Sequence, residues 1–157
     1  MTSQDERFLR CVTVAELEQM KALGQLAKKR FVLETADGRI ANDQRRFFDA
    51  VSRSLPLDPH YDYPPGIRSN WDSLDDSVFG GLLGLGVAAA DIIWPFANDV
   101  AIAFLVKGVK FLARVAGNVR DRDYGPLEDN SVFVRLFLVC SNETSKQRLE
   151  AEFWFLK

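Results

Sequence analysis

Apolar residues recur along this chain in two rhythms, and each change of rhythm marks an element. Phe8–Val12 is a short apolar run of strand length. Thr13-Val14-Ala15-Glu16 then has the form of a capping box, with a Thr hydroxyl serving an early N–H and a Glu reaching back. Val14, Leu17, Met20, Leu23 and Leu26 follow at helical spacing and predict a helix over 14–28. Phe31-Val32-Leu33 predicts a strand that stops at the Asp37-Gly38 turn signal. Asn42 or Asp43 can cap the next helix, whose inner face carries Phe47, Phe48, Val51 and Leu55 and which Pro56 ends.

The Pro-rich stretch 58–69 holds Tyr61, Tyr63 and the lone His60, and predicts a stiff loop. Asn70 can cap a helix that runs to Gly80-Gly81, expected to end it. Leu82–Ala90 fits either a short helix or a loop under the core. Ile92-Ile93-Trp94 predicts a buried strand. A long helix capped by Asn98 or Asp99 should then run to about Asn118. Its polar positions Lys107, Lys110, Arg114 and Asn118 form one narrow stripe, so the rest should be buried. Val132–Cys140 is a β-branched and aromatic run of the central-strand type. Asn142–Lys146 is expected to turn, and Arg148–Leu156 to return as an antiparallel edge strand. Long helical connections between strands predict an α/β fold with a mostly parallel sheet. No repeat or second domain is evident, so 1–157 is expected to form one domain.

Net charge is −2, which gives no bulk electrostatic reason to bind nucleic acid. Charge is instead local: residues 58–76 carry net −4 and residues 107–122 net +4. Cys11 and Cys140 are the only cysteines and read as buried thiols of a reducing compartment. The N-terminal residues lack a secretion-signal pattern and no apolar run reaches bilayer length, so a cytoplasmic location with no membrane partner is expected.

One histidine leaves no His-pair metal site and argues against a Ser-His-Asp triad. No phosphate-loop or dinucleotide fingerprint occurs. No cofactor is implied, and an enzyme is not expected. Asp72, Asp75 and Asp76 crowd the first two turns of the helix after Asn70, where the helix dipole favours carboxylates. By themselves they fit a solvated helix start, a divalent-cation pair, or a surface for a basic partner.

The stretch Asn70-Trp71-Asp72-Ser73-Leu74-Asp75-Asp76-Ser77-Val78 resembles the signature helix of the barstar family, intracellular inhibitors of barnase-type ribonucleases. That family's pattern is Asn-(Leu/Trp)-Asp-Ala-Leu-x-Asp-Cys-Leu. Asn70, Asp72, Leu74 and Asp76 fall on its positions, and Gly80 on the glycine beyond. Residues 31–40 resemble the first family strand and its turn, 42–57 the first helix with its Phe-Phe pair, 92–96 the second strand, and 132–140 the last. The linker before the motif is longer here, so Tyr63 and Gly66 match only in kind. The resemblance covers about residues 30–140; 1–29 and 141–157 are extensions that add a strand and helix at one end and the antiparallel strand at the other.

The resemblance implies a protein that inserts an acidic helix and the loop before it into the site of a cognate basic ribonuclease or nuclease toxin, forming a heterodimer. Carboxylates would take the places of phosphates through charge-assisted hydrogen bonds. Asp76 would be the main phosphate mimic and Asp72 its helper, with Asn70 holding the loop and Tyr61 or Tyr63 covering the catalytic centre. Trp71, Asp75 and Gly80 complete the expected partner-binding set. The alternatives are a module of the same fold that binds another basic protein, and a small metal-binding enzyme using the three aspartates.

Overall fold

A computed structural model describes residues 7–35, 43–58, 71–120 and 132–154. Four strands, β1 (Leu9–Thr13), β2 (Lys29–Val32), β3 (Ala89–Trp94) and β4 (Phe133–Cys140), form one sheet in the order β1-β4-β3-β2. All three pairings are parallel. Among the described residues five α-helices accompany them: α1 (Val14–Ala22), α2 (Gln44–Ser54), α3 (Trp71–Leu83), α4 (Ile102–Arg120) and α5 (Glu143–Glu152). The α/β class and the parallel sheet are therefore as the hydrophobic rhythm predicts.

Alternation along the strands divides the core in two. Cys11, Ile92, Trp94, Leu136, Leu138 and Cys140 face one way and join the buried side chains of α2, α3, α4 and α5. Val12, Ile93, Phe137 and Val139 face the other way and meet Leu17 and Met20 of α1. The sheet is thus sandwiched, with one helix on one face and four on the other.

Local signals explain most boundaries. The Thr13 hydroxyl accepts from the Glu16 N–H at 3.2 Å, while the Thr13 N–H donates to Glu16 Oε1 at 3.1 Å, completing the capping box. Asp43 caps α2 by accepting from the Arg46 N–H at 2.8 Å. Helix α1 stops at Ala22, short of 28, because Gly24 turns the backbone left-handed at φ +68°. Leu26 still packs on the α1 side of the sheet, but from the connector.

The C-terminal element departs from expectation. Residues 143–152 are helix α5, not a turn followed by an antiparallel strand. Asn142 caps it by accepting from the Ser145 N–H at 2.8 Å, and Leu149 and Phe153, one turn apart, bury against β1 and β4. The glycines also differ in role. Gly80 and Gly81 lie inside α3 rather than ending it. A Cβ at either would collide with the backbone at Asp58 or Pro56, so their lack of a side chain lets the segment that follows α2 cross α3 closely. Asn98 does not cap α4. It lies in a 3-10 turn, Ala97–Asp99, and its side-chain carbonyl accepts from the Ser141 N–H at 3.0 Å, tying the carboxyl ends of β3 and β4 together.

Candidate functional site

Helix α3 is held from inside by aromatic packing. Trp71 lies 5.7 Å from Phe47, 4.8 Å from Phe48 edge-on, and 5.3 Å from Phe111, centroid to centroid. Phe47 in turn meets Trp94 at 5.2 Å. This chain of rings fastens the start of α3 to α2, α4 and the end of β3. Leu74, Val78 and Leu82 continue the buried side. Trp71 and Gly80, expected among the partner contacts, therefore have internal work: one anchors the helix and the other admits the Asp58 backbone.

The outer side carries the carboxylates. Asp72 and Asp76, one turn apart on a shared face, are exposed. Asp75 is on the flank toward α4 and only 15% exposed, with Oδ2 accepting from Arg114 Nε at 2.8 Å. Burial pushes the Asp75 carboxyl up from its ordinary 3.8. The Arg114 cation pulls it down, and the charges of Asp76 and Asp72 push it further up. Burial and the neighbouring carboxylates together outweigh the ion pair. The three aspartates do not form one equivalent cluster: two are presented and one is turned aside. Tyr61, Tyr63, Asn70 and His60 lie outside the described residues.

The basic stripe of α4 runs beside this face. Lys107, Lys110, Arg114 and Asn118 are all exposed, as the spacing predicts, and Arg114 joins the stripe to the acidic helix. Sequence reasoning recorded both charge runs but not their contact, because residues 39 apart leave no pattern that pairs them.

A second polar arrangement went unread as well. Asp91 on β3, fully buried, faces Arg135 on β4 in strand register. Arg135 Nε and Nη2 donate to its two oxygens, both at 2.8 Å. The Ala27 N–H donates to Asp91 Oδ2 at 2.7 Å, and Arg135 Nη2 donates to the Gln25 carbonyl at 3.0 Å. The pair pins the α1–β2 connector to the sheet. Its signal was present: one Asp and one Arg, each alone inside an apolar strand run, need each other to be buried.

Other chemistry is sparse. Among the described residues no group of three or more His, Cys, Asp or Glu could hold a metal ion. Both thiols are buried, and burial, with the Glu150 charge adding, pushes Cys140 up to about 11, far from a reactive thiolate. A cleft of about 140 Å³ between β1 and α5 is lined by Leu9, Cys11, Glu16, Lys146, Glu150 and Phe153. Its Lys146 is already engaged with Glu16 at 3.0 Å. No described helix is long and apolar enough to cross a membrane.

Comparison with known proteins returns no matching family model, no matching curated protein and no matching solved structure.

Proposed function

We propose that this chain is a protein inhibitor that blocks the active site of a cognate ribonuclease or nuclease toxin, using helix α3 and the loop before it. One observation carries the reading. The stretch that resembles the barstar signature is a helix fastened by apolar packing on its inner side, with Asp72 and Asp76 together on its outer side. Two carboxylates on a rigid support are suited to the phosphate-binding cations of a nuclease site, since little side-chain or backbone freedom is lost on docking. The order of described elements from 29 to 140, strand, two helices, strand, helix, strand, also follows the order of the resembling segments. Both extensions lie at the β1 edge of the sheet, where β1 pairs with β4 and α5 packs on β1. The test is RNA cleavage by a barnase-type ribonuclease with equimolar protein added. Stoichiometric inhibition supports the reading, and unchanged cleavage opposes it.

The second reading is a module for a different basic protein, such as a DNase. The Arg114–Asp75 bridge and the adjoining cationic stripe favour it, because they break up what would otherwise be a wholly acidic face. Parallel assays on DNases and ribonucleases separate the two.

A further inference from the structure

We infer that Phe96 is the apolar anchor of the docking surface: its ring, held at the carboxyl end of β3 before the start of α4, fits an apolar recess that the partner nuclease offers beside its phosphate-binding cations. The inference rests on the inhibitor reading and adds an apolar contact to it. The first observation is strain. Phe96 has φ +57° and ψ +34°, and among the described residues it is the one non-glycine with a positive φ. A bulky side chain is an outlier in this left-handed region, which glycine or asparagine occupies more readily. The second is that the fold gains little from the ring, because Phe96 is 58% exposed. Strain that burial does not offset is a mark of contact sites. The third is rigidity. Trp94 before it and Ala97 after it are fully buried. The Asp99 N–H donates to the Phe96 carbonyl at 3.0 Å, and Asn98 ties the turn to the Ser141 N–H at 3.0 Å. The ring is therefore presented on a fixed backbone, and little freedom is lost when a partner covers it.

The fourth is position. Ile102, 40% exposed, opens α4, and Ala101 and Ala103 beside it are exposed. Phe104 in the same turn meets Phe47 at 5.9 Å, and Phe47 meets both Trp71 and Trp94. The Phe47 ring thus links the start of α3, the start of α4 and the end of β3. The apolar patch of Phe96 and Ile102 lies at this same end of the fold, next to the helix proposed for docking. An aromatic centre with polar groups at its rim is the common anatomy of a protein contact.

Binding of Phe96→Asn to a barnase-type ribonuclease, with thermal unfolding of the same variant, tests this. Asparagine adopts the left-handed region readily, so the thermal midpoint should hold or rise. The dissociation constant should increase about tenfold or more. The change should come mostly from faster dissociation, with the salt dependence unaltered because no charge is changed. Leu23→Asn, at an exposed apolar residue that ends α1 on the other face of the sheet, should bind as the wild type does. Affinity of Phe96→Asn within about twofold of the wild type would overturn the inference and leave the inhibitor reading standing. A lowered thermal midpoint would give the ring a place in the fold and also overturn it. Equal weakening by Phe96→Asn and Leu23→Asn would mark a general loss of apolar surface and again overturn it. A wild-type protein that does not bind the ribonuclease fails the inhibitor reading itself, and the inference falls with it.

Discussion

Asp91 and Arg135 sit opposite each other in register on β3 and β4 and close a two-point ion pair at 2.8 Å, with Asp91 fully buried. This pair holds the α1–β2 connector, and so joins the N-terminal extension to the part of the chain that carries the acidic helix. Asp91→Ala would strand a mostly buried guanidinium and leave the Ala27 N–H without its acceptor. The expected loss is about 3–5 kcal/mol of unfolding free energy, measured by denaturant titration. The double change Asp91→Leu with Arg135→Met should recover most of it. If the single variant lost under about 1 kcal/mol, the pair would not be the pin described.

The two extensions are linked by Lys146 and Glu16, 3.0 Å apart. Burial alone would raise Glu16, but hydrogen bonds from Lys146 and the Thr13 N–H prevail and hold it below its ordinary 4.5. Its stabilisation is therefore present above 4.5 and fades as pH falls through the lowered folded value. Lys146 is held above 10.5, chiefly by its hydrogen bond to Glu16 and against burial. That contribution is present below 10.5 and fades as pH rises through the raised folded value. Lys146→Met should lower stability by about 1 kcal/mol near neutrality, with the deficit shrinking in strong acid and in strong alkali. Unfolding curves across pH check this, and a deficit independent of pH would contradict it.

Glycine positions give opposite expectations within the same helical layer. At Gly81 an added Cβ meets the Pro56 carbonyl, whereas at Gly117 on α4 nothing lies within 4 Å. Gly81→Ala should cost about 1–3 kcal/mol through overpacking. Gly117→Ala should gain about 0.5–1 kcal/mol from helix propensity and a less flexible unfolded chain. Thermal midpoints of the two variants read both signs at once.

What the sequence made legible follows from local physics. The capping box at Thr13, the Asp43 cap, the apolar face of α2 and the polar stripe of α4 are fixed by neighbours within a turn or two. Helix α5 was misread because Arg148–Leu156 alternates adequately as a strand, while its burying pair Leu149 and Phe153 also satisfies helical spacing. The choice is made by packing on β1 and β4, which lie far away in sequence. The Asp75–Arg114 and Asp91–Arg135 bridges span 39 and 44 residues, and only the folded sheet and helix layer bring their partners together. Trp71 is expected in the partner-binding set of its motif, and its packing inside the fold is not visible in the sequence. Its inward turn depends on three phenylalanines from two other helices.

In the proposed function Asp76, exposed on an anchored helix, is the main phosphate mimic. The most direct measurement is the dissociation constant of the wild-type protein and of Asp76→Ala for a barnase-type ribonuclease, at low and at high salt. Loss of one member of a buried interfacial charge pair costs about 2–5 kcal/mol. The barnase–barstar pair is itself the type case for such energies. The expected result is tight wild-type binding that weakens with salt, and a variant weaker by at least about 2 kcal/mol with a flatter salt dependence. Tight binding that the variant retains to within about 1 kcal/mol would contradict the role given to Asp76.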